Sequence, residues 1–123
     1  MKLSTFLVLS AIYYGGFGLG LLVAPAPFMS VFGVTLDGGG MLMARVLGAA
    51  LLNLTLIFWW SKNAANSDTL QVILRANCLY NIADIPVVAF AILTGTMGAL
   101  GWSAVVLHLL YAAGFGYFGF MKR

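Results

Sequence analysis

Residues 3–36 read LSTFLVLSAIYYGGFGLGLLVAPAPFMSVFGVTL and contain no charged side chain. Residues 85–121 read IPVVAFAILTGTMGALGWSAVVLHLLYAAGFGYFGFM, where His108 is the only side chain that titrates near neutral pH. A helix needs roughly 20 mostly apolar residues to cross the hydrocarbon core of a bilayer. Each stretch can therefore hold at least one membrane crossing.

The composition of the whole chain points the same way. Hydrophobic residues make up 63% and charged residues 7%, whereas a soluble domain is about 25% charged. The net charge of +3 comes from basic residues at segment ends, Lys2, Lys62, Lys122 and Arg123, rather than from a stripe that would bind nucleic acid. The single cysteine, Cys78, excludes a disulfide within the chain and a CxxC redox pair.

Proline, glycine and polar residues divide the chain into four crossings. The predicted crossings cover about residues 3–24, 41–60, 70–94 and 102–120. The sequence therefore predicts an all-α fold, an integral membrane four-helix bundle that forms one membrane domain over residues 1–123.

The first crossing has the outline of a cleavable signal peptide, with Lys2, an apolar run and Ala24-Pro25-Ala26. Its apolar run is about 22 residues long, whereas the apolar region of a signal peptide is roughly 7–15. We therefore interpret it as a retained crossing that ends at Pro25, because proline cannot continue the helical hydrogen bonds.

The connections between the crossings differ in polarity. The segment after Pro27 is too short to cross and too apolar for an aqueous loop, so we expect a short interfacial helix closed by Gly33. Residues 37–40, Asp-Gly-Gly-Gly, are predicted to form a flexible polar joint. Asp68 and Gln71 have the spacing of a capping box, which predicts the start of the third crossing.

The basic residues predict the orientation. Four crossings place both termini and the polar loop 61–69 on one side of the membrane, together with Lys2, Lys62 and Lys122. By the positive-inside rule this side is cytoplasmic, which predicts a multi-pass protein of a bacterial inner membrane. Arg75, just inside this side, is expected to reach the cytoplasmic head groups.

Besides Arg75 near the cytoplasmic side, the predicted crossings contain the ionisable residues Arg45, Asp84 and His108 in their outer half. Such groups cost at least ~2.5–3.5 kcal/mol each on insertion scales. At about 1.5 Å per residue, they lie roughly 6, 15 and 9 Å below the outer boundary. We therefore predict an Arg45–Asp84 ion pair with His108 nearby. This cluster either locks the second crossing to the third or forms a polar pocket or proton relay. In a further alternative, Arg45 extends to the outer head groups.

The third crossing carries a polar stripe. Asn77, Asn81 and Asp84 follow the spacing i, i+4, i+7 and so share one helix face. Asn53 on the second crossing lies near the depth of Asn77, which predicts an Asn–Asn hydrogen bond worth ~0.6–2 kcal/mol. The stripe is either such a link or a track for a solute. Pro86 is expected to kink the helix beside it.

Small residues predict close helix packing. Gly16-x-x-x-Gly20 on the first crossing and Ala112-x-x-x-Gly116 on the fourth match the small-xxx-small pattern, and Gly48 lies on the second. These positions favour packing within the chain, with at least one face left for a partner.

The residues predict a non-catalytic protein without cofactor or metal. They include no nucleophile–base pair and no acidic metal cluster, and one histidine cannot ligate a haem from both sides.

We expect an accessory or scaffold subunit of an inner-membrane assembly. Its partners would be the lipid bilayer and other membrane subunits or a second copy, not nucleic acid. The alternatives are a small transporter or channel, and a lipid- or quinone-binding protein that uses an outer-half polar cluster. The candidate cluster residues, ligand-binding or structural, are Arg45, Asp84, His108, Asn53, Asn77 and Asn81.

The order of short motifs resembles a known kind of protein. The motifs are Pro27-Phe28…Phe32-Gly33, Arg45-x-x-Gly48-Ala49, Asp84 on a polar third helix, and Gly114-Phe-Gly-Tyr-Phe118. Together they resemble small four-helix bacterial membrane proteins of the DoxX-like kind, over most of the chain. The resemblance implies a four-helix fold and carries over no catalytic residue.

Overall fold

The computed structural model describes residues 1–122, and in that range it contains helices and turns but no β-strand. The helices are α1 (Leu3–Val23), α2 (Pro25–Ser30), α3 (Gly38–Ser61), α4 (Asp68–Leu93) and α5 (Gly101–Gly116), and a π-helical turn (Tyr117–Met121) continues α5. Four of them, α1, α3, α4 and α5 with its π-helical turn, are long and apolar enough to cross a membrane. The predicted all-α, four-helix fold class is confirmed. Arg123, predicted to end the fourth crossing with Lys122, lies outside the described residues.

The chain divides into two compact units, unit 1 (Met1–Asn63) and unit 2 (Ala64–Arg123). Each unit contains two of the membrane-length helices. The single membrane domain over the whole chain stays a prediction.

In unit 1, α1 and α3 pack as an antiparallel hairpin. Gly18 faces Gly48, and the rings of Tyr14 and Phe58 lie 5.4 Å apart, so the contacts run in opposite directions along the two helices. On each helix a stripe of buried positions recurs at intervals of three, four or seven residues, which is typical of helices that pack at a shallow angle. They are Leu7, Ala11, Tyr14, Gly18 and Leu21 on α1, and Ala44, Gly48, Leu51 and Phe58 on α3.

The helices of unit 1 approach most closely at a pair of glycines. A Cβ atom on Gly48 would lie 2.7 Å from the carbonyl oxygen of Gly18, so no side chain fits there without moving backbone. A Cβ on Gly16 would meet nothing within 4 Å, and Gly20 faces the ring of Phe28. The Gly16-x-x-x-Gly20 motif therefore does not form the α1–α3 contact, although Gly20 packs against Phe28 within the chain. Gly18 occupies the crossing because it lies on the buried stripe.

The short helix after the first crossing is present, but it begins at Pro25 rather than Pro27. Proline fits the first helical position because its missing N–H would have no partner there. Gly33 closes the segment with a positive φ of 71°, and the Val34 N–H donates to the Met29 carbonyl, 3.1 Å away. This is a glycine C-cap. The location of α2 in the membrane interface stays a prediction.

The predicted flexible joint at residues 37–40 is wrong, because α3 already begins at Gly38. The Asp37 carboxylate accepts a hydrogen bond from the Gly40 N–H at 2.6 Å. An aspartate N-cap satisfies a helix donor that otherwise has no partner, and so favours a helix start at Gly38 despite the low helix propensity of glycine.

In unit 2, α4 and α5 also form an antiparallel hairpin. The Cys78 thiol donates to the Ala112 carbonyl at 3.3 Å, and the Arg75 Nε–H donates to the Gly119 carbonyl at 2.8 Å. A Cβ on Gly119 would lie 3.2 Å from the Leu74 Cβ, so this end of the hairpin is tightly packed. Arg75, expected only to reach head groups, thus also holds the π-helical turn at the end of α5.

The start of α4 differs from the predicted capping box by one residue. The N-cap is Ser67, whose hydroxyl oxygen accepts from the Leu70 N–H at 3.3 Å. Gln71 does not return to the cap, because its Nε2 donates to Asn66 Oδ1 at 2.7 Å. At its other end, α4 continues through Pro86 to Leu93 without a break.

Candidate polar site in the membrane-spanning region

Four of the six predicted cluster residues lie together in unit 2. Asn77, Asn81 and Asp84 share one face of α4, and His108 on α5 lies opposite them. We call these four residues the His108 cluster. Asn81 is fully buried and Asn77 is 6% exposed, so the cluster begins inside the hairpin and ends at Asp84 near its edge.

Asn81 connects the two helices. Its Nδ2 donates to the Asn77 carbonyl at 2.8 Å, which leaves Oδ1 as the atom that faces His108. The His108 Nδ1 lies 2.9 Å from that oxygen. Because an amide oxygen accepts only, His108 must carry a proton on Nδ1.

With Nδ1 protonated, Nε2 is the ring nitrogen that gains or loses a proton. Nε2 lies 3.7 Å from Asp84 Oδ2, which is longer than a direct N–H···O hydrogen bond of 2.7–3.2 Å. With His108 neutral, the two facing atoms are both hydrogen-bond acceptors, and with His108 protonated they form an ion pair. The side chains are 12% exposed for His108 and 29% exposed for Asp84, so Asp84 is the accessible end.

The other two predicted residues, Arg45 and Asn53, belong to unit 1. Both side chains are exposed on α3, and their predicted links to Asp84 and Asn77 stay predictions. Within unit 2, Asp84 faces His108, and the Asn77 Nδ2 donates to the Ile73 carbonyl of its own helix.

Sequence reasoning missed Tyr80 as a neighbour of the cluster. Its ring stands edge-on to His108, with 6.4 Å between ring centres. Tyr80 precedes Asn81, so it starts on a different face of α4, and only the position of α5 brings the two rings together. No periodicity in the sequence gives that signal.

Comparison with protein-family models, with curated proteins and with solved structures finds no significant match to this chain. The resemblance to DoxX-like proteins therefore stays a prediction.

Proposed function

We propose that this chain is a non-catalytic membrane protein that binds an amphipathic molecule, a lipid or a quinol, through the His108 cluster. The observation that carries the proposal is the pair His108 Nε2 and Asp84 Oδ2, held 3.7 Å apart with the carboxylate still accessible. Ionisable groups inside membrane-spanning segments are expensive and commonly mark binding or transport sites.

The chemistry of the pair favours a head group that donates hydrogen bonds. Asn81 fixes the Nδ1 proton of His108, so a neutral ring presents the Nε2 lone pair toward Asp84. A hydroxyl group at the accessible edge can donate to the carboxylate or to Nε2. An apolar tail would then lie along the neighbouring helix surface, where Val87, three residues after Asp84, is exposed.

Charge distribution supports a cytoplasmic location for both termini in a bacterial inner membrane. Lys62 lies beside the exposed Trp59, with Nζ 3.0 Å from the ring centre, and aromatic and basic residues of this kind are typical of membrane interfaces. Lys2 and Lys122 belong to the same predicted side.

A second candidate, an accessory subunit of a larger assembly, is favoured by a different observation. Arg45, Ala49 and Asn53 recur every four residues on α3, and the rest of unit 1 does not cover them. Polar side chains facing hydrocarbon are costly, and a partner helix with polar groups would satisfy them. A photo-cross-linking residue at Ala49 should then form a reproducible adduct with one membrane protein. The same residue at exposed Ala50, about 100° around the helix, is the matched control. Equal adducts at both positions, or none, would argue against this candidate.

The binding proposal is tested in lipid nanodiscs with two probes, a short-tailed quinol and a diacylglycerol. Each probe is compared with its methyl-ether derivative, which cannot donate a hydrogen bond. Wild-type protein should bind one of the free hydroxyl compounds at least tenfold more tightly than its ether, and the successful probe identifies the ligand class.

Asp84→Asn is the key variant because it keeps the size of the side chain and removes the charge. It should weaken the preference for the free hydroxyl several-fold, because a neutral amide oxygen is a weaker acceptor than a carboxylate, whereas Asp37→Asn, an equal charge change at the α3 cap, should preserve it. Binding that is indifferent to the ether, or unchanged in Asp84→Asn, would refute the proposed site.

A further inference from the structure

A second polar site lies at the opposite end of α4, where the helix meets the loop before it. Six residues line a cavity of about 250 Å³ there: Asn66, Ser67, Asp68, Gln71, Val72 and Arg75. A water molecule occupies about 30 Å³ in the liquid, so the cavity is larger than one or two waters require. This cavity lies entirely within unit 2.

Gln71, in the wall of this cavity, carries a buried acceptor without a donor. Gln71 is 7% exposed, and its Oε1 has no hydrogen-bond partner among the described residues. Its Nε2 donates to Asn66 Oδ1. Rotating the Gln71 amide by 180° would place its oxygen against the oxygen of Asn66. Rotating both amides would satisfy the Gln71 oxygen but leave the Gln71 nitrogen without an acceptor. With the amides placed as they are, the site lacks one donor, to Gln71 Oε1, and buried polar groups are rarely left in that state.

Opposite charges flank this acceptor. Asp68, Gln71 and Arg75 lie on one face of α4, and Asp68 and Arg75 are separated by about 10 Å along the helix axis. The guanidinium group of Arg75 is held in place, because its Nε donates to the Gly119 carbonyl and its carbon lies 5.2 Å from the ring centre of Phe120. The terminal nitrogens of the guanidinium can still donate to an anion.

We propose that this cavity binds the head group of a phosphoethanolamine lipid. The phosphate pairs with the Arg75 guanidinium, and the ammonium group donates to the Asp68 carboxylate and the Gln71 Oε1. The site lies at the end of a membrane-length helix beside the polar loop, and a helix that crosses the bilayer places its ends among the lipid head groups. Choline lipids carry the same phosphate but no N–H, so they cannot supply the missing donor.

The test is a lipid competition read by native mass spectrometry. Protein in nanodiscs that contain equal amounts of phosphatidylethanolamine and phosphatidylcholine is released, and the lipids that remain bound are counted. Wild-type protein should retain phosphatidylethanolamine with at least a fivefold preference. Soluble phosphoethanolamine added in excess should not displace the lipid, because the acyl chains contribute to its retention, and complete displacement would assign the site to the free compound.

Gln71→Leu removes the acceptor and should eliminate the preference, whereas Asn63→Leu, an amide removed from the same loop outside the cavity, should keep it. Gln71→Leu should melt close to wild type, since removing the buried oxygen without a partner offsets the loss of the hydrogen bond from Nε2 to Asn66. If it fails to fold, Asp68→Asn serves as the second variant and should reduce the preference to near unity. A wild type without preference, or an unchanged preference in the folded variants, overturns the proposal. Because Asp84 is unchanged in these variants, failure here is independent of the binding proposed at the His108 cluster.

Discussion

The closest contact between α1 and α3 gives a quantitative prediction for Gly48→Ala. The added methyl carbon would lie 2.7 Å from the Gly18 carbonyl oxygen and 2.8 Å from the Leu22 nitrogen. Both atoms belong to the backbone, so the helices must separate by about 0.7 Å to reach ordinary contact near 3.4 Å. A gap of this size forfeits roughly a third of each dispersion contact of ~0.1–0.2 kcal/mol, and on the order of forty contacts meet at such a crossing. The expected loss is about 2 kcal/mol.

Gly16→Ala is the matched control, because a Cβ at Gly16 meets nothing within 4 Å. Both substitutions bring the same gain in helix propensity, up to ~1 kcal/mol, and this gain cancels when the two variants are compared. Gly48→Ala should therefore be about 2 kcal/mol less stable than Gly16→Ala. The free energy of unfolding is measured by titrating denaturing detergent into the folded protein in mild detergent. Equal stability of the two variants would refute the glycine crossing of unit 1.

Three further predictions concern single contacts. Asn81→Leu leaves the Nδ1 proton of His108 without its acceptor and should lower the free energy of unfolding by about 1–3 kcal/mol; a loss below the error of the same detergent titration would remove Asn81 as a link between α4 and α5. Asp37→Ala removes the cap on Gly40 and should cost about 0.5–2 kcal/mol, while Asp37→Asn should cost little; equal effects of the two would argue against capping. Cys78 is 7% exposed, so maleimide should label it at least tenfold more slowly in folded than in denatured protein, and equal rates would contradict the packing of unit 2.

The four membrane-length helices were predictable because a run of about 20 apolar residues favours a hydrocarbon environment, whatever the run packs against in the fold. The ends of the helices were less predictable, because they depend on single hydrogen bonds. Asp37 extends α3 across three glycines, and Ser67 rather than Asp68 caps α4. Serine and aspartate are both good N-caps, so adjacent candidates cannot be ranked from sequence.

The polar stripe of the candidate site was predictable from helical periodicity, since Asn77, Asn81 and Asp84 must share a face. Its partner across the hairpin was not fully predictable. Estimated depth brought His108 near Asp84, but depth alone does not give the rotation of α5 that aims one ring nitrogen at Asn81 and the other at Asp84. The choice of Gly18 over Gly16 has the same cause, because it depends on how α1 is turned toward α3.

The protonation of the one imidazole in this chain tests the central claim most directly. His108 is the only histidine, so ¹⁵N-histidine labelling of protein without a histidine tag gives one pair of ring-nitrogen signals. In nanodiscs the Nδ1 signal should be that of a protonated nitrogen, and the Nε2 signal should shift when the hydroxyl-bearing probe is added, by more in wild type than in Asp84→Asn. A ring protonated only on Nε2 would contradict the hydrogen bond from His108 to Asn81. An Nε2 signal that does not shift when the probe is added would contradict binding at the His108 cluster.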